Sequence, residues 1–179
     1  MIDRDSALAL VESYNPEPHM IQHALASEAV MRALARRFEE DEDLWGLAGL
    51  LHDVDYPMTK DRPEEHGVKA VPILEGKLPP EAVYAIQAHN SECTGVEPAS
   101  RLDFALRAGE TITGLVHAAA LMRPTGMDGM EVKSLKKKMK DKAFAAAVSR
   151  DRIRECEKAG LPLDEFLALS IEALTPCFR

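Results

Sequence analysis

Apolar residues recur three and four positions apart along almost the whole chain, and no stretch sustains the apolar–polar alternation of a half-buried strand between hairpin turns. That one periodicity restricts the fold to packed helices. A first helix is expected from Arg4 to Ser13, stopped by Asn15-Pro16-Glu17-Pro18. A second runs from about Pro18 to Glu40, with Ile21, Leu25, Ala29, Leu34 and Phe38 near helical spacing. Its partner begins at the acidic Asp41-Glu42-Asp43 turn, which suits a helix N-terminus, and carries Leu44, Leu47, Leu50 and Leu51. Tyr56–Pro63 reads as a loop, and Asp61 with Glu64 as a capping box for a helix through Gly76. Pro79-Pro80 opens a helix from Glu81 to Asn90, and a long one runs from about Ser100 to Met122. Beyond Arg123-Pro124-Thr125-Gly126 shorter helices are expected over Glu131–Lys140, Ala143–Val148, Arg150–Lys158 and Leu163–Leu174, with Gly160 as a helix-ending glycine before Pro162. With 179 residues and no linker, repeat or low-complexity tract, the expectation is one all-α domain.

Charge and cysteine usage narrow what such a domain would meet. Lys+Arg 22 against Asp+Glu 30 leaves a net charge of −8, which makes nucleic acid an unlikely partner over the whole surface. No apolar run approaches the roughly 20 residues of a membrane span, and Met1-Ile2-Asp3-Arg4 lacks the basic start and apolar middle of a signal peptide. Cys93, Cys156 and Cys177 are odd in number and widely spaced, as in reduced thiols rather than a disulfide frame or a thiolate zinc site. The expected setting is cytoplasmic.

The histidines carry the chemistry. His23, His52, His66 and His89 fall on four different expected helices among small or apolar neighbours, and Asp53 directly follows His52. One histidine on an apolar helix face is ordinarily a hydrogen-bonded core residue. Four on separate helices, with an adjacent carboxylate, weigh toward a metal centre. Neutral imidazole suits Mn, Fe, Co, Ni or Zn, and a carboxylate has two oxygens with which to bridge two ions about 3.5–4 Å apart. Helices packed around one centre can aim such side chains inward. Asp53 is the natural bridge.

Ala48-Gly49-Leu50-Leu51-His52-Asp53-Val54-Asp55 resembles the signature of the HD superfamily of metal-dependent phosphohydrolases. The family's order is a histidine, the His-Asp pair, often two further histidines, and a late aspartate. His23 matches the first; His66, in Glu65-His66-Gly67-Val68-Lys69-Ala70, and His89, in Ala85-Ile86-Gln87-Ala88-His89-Asn90, match the additional pair. At the last position Ala108-Gly109-Glu110-Thr111 carries Glu110, one methylene longer than the family's aspartate. Either Glu110 closes the first metal's shell or that metal is weakened. The resemblance covers about residues 20–125, leaving 126–179 as a C-terminal helical extension, and is similar to a subgroup of small HD hydrolases that continues through Lys133-Ser134-Leu135-Lys136-Lys137.

What the resemblance implies is one or two divalent transition-metal ions, the first held by His23, His52, Asp53 and Glu110 and the second by Asp53, His66 and His89. A metal-activated hydroxide would then hydrolyse a small phosphorylated substrate, a nucleotide or a phosphorylated metabolite. Two other outcomes share this ligand set: an HD-type dinuclear iron oxygenase, and a non-catalytic nucleotide-binding regulatory module.

Secondary candidates each have a bland reading beside the functional one. Lys60, between the His-Asp pair and His66, is a candidate catalytic group for meeting a phosphate, or a solvated loop lysine. Arg107, three residues before Glu110, would orient that carboxylate or form an exposed ion pair. Lys133, Lys136, Lys137, Lys138, Lys140 and Lys142 would draw in a polyanion, or form the wet face of a helix. His19, four residues before His23, is a rival first ligand; His117 is a core residue or lines the pocket; Trp45 and the eight methionines are core packing.

Overall fold

Several helices begin where a side chain satisfies one of their first amides, and others begin at a proline. In the computed structural model, which describes residues 1–178, Asp3 accepts from Ser6 N–H at the start of α1 (Arg4–Tyr14), and Pro18 opens α2 (Pro18–Phe38). Asp41 accepts from Leu44 N–H to begin α3 (Glu42–Leu51). Ser100 and Asp103 form a reciprocal capping box at the head of α8 (Arg101–Leu121). Between α3 and α8 lie α4 (Tyr56–Thr59), a 3₁₀ turn at Pro63–Glu65, α5 (Ala70–Leu74), α6 (Pro80–Ala88) and α7 (Ser91–Thr94). The chain closes with α9 (Val132–Lys140), α10 (Arg150–Arg154) and α11 (Leu163–Leu174). No strand is formed among the described residues, so the all-α expectation holds.

The long α2 is the axis. It packs against α3, α8 and α11, while α6 closes on α3 and α8 from the other side. Met31 and Leu34 of α2 are sealed with Leu47, Leu50 and Leu51 of α3 and Leu106, Ile112 and Leu115 of α8. Two glycines set the helix spacing. A Cβ on Gly49 would lie 2.7 Å from the Ser27 carbonyl oxygen and 2.9 Å from Met31 Cγ, and one on Gly109 would lie 2.9 Å from Met31 Sδ. Neither site has room for a methyl group, so α3 and α8 both approach α2 at the level of Met31. Trp45 is buried beside Phe38. Of the methionines, Met1, Met58 and Met122 are exposed, so only part of that set is core.

Four segments depart from the expected elements. The Tyr56–Pro63 loop contains the single turn of α4, opened by Pro57 in its first turn. The helix expected from Asp61 to Gly76 is instead a 3₁₀ turn, a bend at Gly67 (φ 88°) and the short α5, with no side-chain cap on either element. Gly67 approaches the Ile86 carbonyl so closely that a Cβ would lie 3.0 Å from it, and its positive φ breaks the helical path. Ala143–Val148 is a series of turns despite its alanine content. Arg150 takes the carbonyls that a helix would use itself: Nη1–H donates to Ala145 O (2.7 Å) and Val148 O (2.6 Å), and Nη2–H to Asp141 O (3.1 Å) and to Phe144 O. The helix expected over Arg150–Lys158 ends at Arg154 and continues as turns to Gly160, whose φ of 99° provides the left-handed exit. No helix among the described residues is long and apolar enough to cross a membrane.

Candidate metal centre

Each of the four imidazoles reaches the centre from a different element, and each is oriented by a fixed acceptor at Nδ1. His52 and His89 follow the last residues of α3 and α6, where helix carbonyls lack amide partners. His52 Nδ1 lies 2.8 Å from Gly49 O, and His89 Nδ1 bonds Ile86 O. A carbonyl only accepts, so both rings carry their proton on Nδ1. His66, just after the 3₁₀ turn, donates from Nδ1 to Asp55 Oδ1 at 2.9 Å, while Gly67 N–H donates to Asp55 Oδ2 at 2.8 Å. His23 Nδ1 lies 3.0 Å from Thr113 Oγ1, and that hydroxyl is itself committed as a donor to Glu110 O at 2.6 Å. Its oxygen must therefore accept from His23. All four rings turn Nε2 inward.

The inward nitrogens then meet in a way neutral imidazoles do not tolerate. His23 Nε2 lies 3.1 Å from His52 Nε2, and His66 Nε2 lies 3.0 Å from His89 Nε2. With every ring proton on Nδ1, each pair sets lone pair against lone pair. Asp53 stands between the pairs. Its Oδ1 is 3.1 Å from His66 Nε2, 3.4 Å from His52 Nε2 and 3.6 Å from His89 Nε2; its Oδ2 is 3.6 Å from His23 Nε2. Two overlapping sets result, His23–His52–Asp53 and Asp53–His66–His89, each with one ligand atom per residue and all atoms within 4.8 Å of one another. Either set could hold a metal ion. Imidazole nitrogen with carboxylate oxygen is a donor set for first-row divalent ions.

Protonation is the other way to relieve such crowding. Burial alone would raise the Asp53 carboxyl, but the surrounding His52, His66, His89 and His23 hold it well below the usual carboxylate range. Burial opposes a charge on His66, yet its bonds to Asp53 and Asp55 outweigh it and push the ring up to about 10, with its Nε2 directed at Asp53 Oδ1 3.1 Å away. Burial, with His52 adding to it, lowers His23.

The cluster opens on one side. A cavity of about 530 Å³ is lined by His23, Glu110, Thr111, Gly114, Val148 and Arg152, among others. Glu110 stands outside both ligand sets. Its carboxylate accepts from the Thr111 hydroxyl and lies 3.7 Å from Arg152 Nη1. Lys60 is exposed just past α4 and is not among the residues lining the cavity.

Arg107 is neither exposed nor Glu110's partner. It is 2% exposed and donates to Ala88 O (3.1 Å), His89 O (3.0 Å), Ser91 Oγ (2.9 Å), Glu92 (2.6 Å) and Glu155 (2.5 Å). It thereby pins the backbone that bears His89. His19 is exposed, and His117 stacks on Phe178 with centroids 4.5 Å apart, so neither joins the cluster. In the lysine run, Lys136 pairs with Asp164 and Lys138 covers the Phe144 ring. Sequence reasoning missed Thr113, the ring-orienting role of Asp55, and Arg152. Asp55 was within sight as the second carboxylate of His52-Asp53-Val54-Asp55; Thr113 and Arg152 have no local signal.

The family model for the HD domain matches residues 20–141. No curated protein and no solved structure matches the chain significantly. The matched segment carries all four imidazoles and both aspartates of the cluster, and the chain belongs to the HD domain family, whose members are usually metal-dependent phosphohydrolases.

Proposed function

We propose that this protein hydrolyses a phosphate ester of a small molecule, a nucleotide or a phosphorylated metabolite, with two divalent transition-metal ions. His23, His52 and Asp53 would hold one ion, and Asp53, His66 and His89 the other. The observation that carries this reading is the convergence of four Nε2 atoms, paired at 3.0 and 3.1 Å, around a shared carboxylate. Two such ions, when bound, lower the pKa of a water and polarise phosphoryl oxygens.

The chain's own residues supply orientation and access. The Nδ1 acceptors fix each ring, Asp53 contributes both oxygens, and Glu110 adds a carboxylate at the cavity edge beside His23. No side-chain nucleophile is required: Cys156 is buried, and burial pushes its thiol up to about 12. Lys60 has no part in this reading. The cavity beside His23 is where a substrate would reach the cluster.

The test is elemental analysis of the purified chain, followed by phosphate release from a panel of nucleotides and phosphomonoesters with Mn, Co, Ni, Zn or Fe. Close to two ions per chain and turnover of one substrate group are expected. Asp53→Asn should lose at least one ion and reduce turnover on the order of 10³-fold, roughly 4 kcal/mol of barrier. Absence of histidine-bound metal overturns the proposal. So does oxygen consumption by the iron-loaded protein without phosphate release.

A further inference from the structure

The cavity beside the cluster has two carboxylates and one permanent cation among its lining residues. Glu92 and Glu110 are the acids, and Arg152 is the only lysine or arginine there among the described residues. Arg152 lies beyond the segment matched by the HD domain model. It reaches the cavity because α10 packs on α8.

Its guanidinium is held along one edge only. Nε–H donates to Glu92 Oε1 at 3.1 Å, and Nη2–H to Glu92 Oε2 at 2.5 Å, a bidentate arrangement that fixes the plane. Nη1 makes no hydrogen bond among the described residues; its nearest acidic contact is Glu110 Oε1 at 3.7 Å, beyond hydrogen-bond range. The side chain keeps 23% of its surface exposed. Both N–H groups of Nη1 are thus left free on a positioned guanidinium.

The surroundings keep that group in place. Arg150 binds the carbonyls of Asp141, Ala145 and the cavity-lining Val148, and Ser149 Oγ accepts from Arg152 N–H at 3.3 Å. Glu92 does not cancel Arg152 alone, because it is shared with the buried Arg107 at 2.6 Å. An anion entering beside His23 therefore meets an arginine whose counter-charge is already divided.

We propose that Arg152 binds the substrate's anion, its free Nη1 donating to oxygens of a phosphoryl group placed at the metal cluster, and that the C-terminal extension thereby supplies substrate selection to the HD core. The phosphoryl class rests on the function proposed above; the anion site itself rests on Arg152 alone. A planar guanidinium pre-oriented by a bidentate carboxylate suits a tetrahedral oxyanion better than a flexible ammonium does. Lys60, the sequence-level candidate for this role, is replaced by a residue almost a hundred positions later.

The experiment uses the metal-loaded full chain titrated calorimetrically with inorganic phosphate. Arg152→Gln should weaken phosphate binding by about 10- to 100-fold while metal content stays at the wild-type value. Arg152→Lys, which keeps the charge and guards against a folding artefact, should fall between the two. With the best substrate of the panel, both variants should raise KM more than they lower kcat. Equal phosphate affinity in wild type and Arg152→Gln overturns the assignment, as does a wild type that binds no phosphate. Arg152-dependent phosphate binding without any phosphate release would leave this site standing and overturn the hydrolase instead.

Discussion

Two buried polar clusters meet at His89, and they are built on opposite terms. The Arg107 cluster is complete: a nearly inaccessible guanidinium finds two carboxylates, a hydroxyl and two carbonyls, and every donor nitrogen has an acceptor. The imidazole cluster is complete only on its outer side. Each Nδ1 is matched, while the inner Nε2 atoms confront one another. Burial of charge is common to both, so burial does not mark the functional site. What marks it is four imidazole nitrogens and a carboxylate converging on one point. The Arg107 cluster holds backbone; the histidine cluster is one that could hold a metal ion.

The sharpest way to break this contrast is Arg107→Leu. Removing the guanidinium leaves Glu92, Glu155 and the Ala88 and His89 carbonyls facing an apolar side chain. The expected cost is about 3–5 kcal/mol, or a fall in melting temperature on the order of 10 °C. Well below the new melting point, the variant should still carry its metal. Thermal denaturation beside elemental analysis checks both halves; an unstable variant that has also lost all metal would show the two clusters to be one unit.

Asp55→Asn reverses the pattern. Asp55 is fully buried and gives one oxygen to His66 and the other to Gly67 N–H. An amide has only one acceptor oxygen, so either the ring or the glycine loses its partner. Metal affinity should drop about 10- to 100-fold, read by competition with a chromophoric chelator. The loss in melting temperature should be smaller than that of Arg107→Leu.

The smallest effect concerns acid. Bonds from Arg107 and Arg152 outweigh the cost of burying Glu92 and hold its carboxyl well below its ordinary value of 4.5. A carboxyl depressed in the folded state stabilises the fold above its unfolded pKa, and that contribution fades as pH falls below about 4.5. Because the Glu92 side chain is half exposed, solvent screens much of it. Stability should therefore decline modestly below that pH, and Glu92→Gln should flatten the acid limb in denaturant titrations at pH 3 to 7. An unchanged limb would place the acid sensitivity elsewhere.

How much of this could be read in advance divides along the same line. Local signals located the elements that carry the ligands: Asp41-Glu42-Asp43 begins α3, Pro79-Pro80 opens α6, and Ser100 begins α8 as a cap. The spacing of His23, His52, Asp53, His66 and His89 was sufficient to suspect a centre, since each sits on or beside an identifiable helix. Glu110 was a matter of resemblance, and the structure puts it at the cavity rather than within either ligand set. Partners made by packing could not be read. Arg107 joins groups 15 and 48 residues away, and Arg152 meets Glu92 across 60. The turn at residues 143–148 failed for a different reason. Ala-Phe-Ala-Ala-Ala-Val has helical propensity, but the nearby Arg150 guanidinium donates to its carbonyls, and Ala145 takes a φ of 45°. Side-chain bonds overrode backbone preference there.

The crowding at Gly49 has a consequence for how sequence change can be absorbed. The same residue that touches the Ser27 carbonyl also offers the carbonyl that steers the His52 ring. A methyl group there would wedge α3 away from its neighbour and carry the adjoining His-Asp dipeptide with it. Misplacement of reacting groups by about 1 Å can cost roughly 100-fold in rate. A substitution that never touches substrate, and that by hydropathy alone looks harmless, would thus silence the centre by leverage.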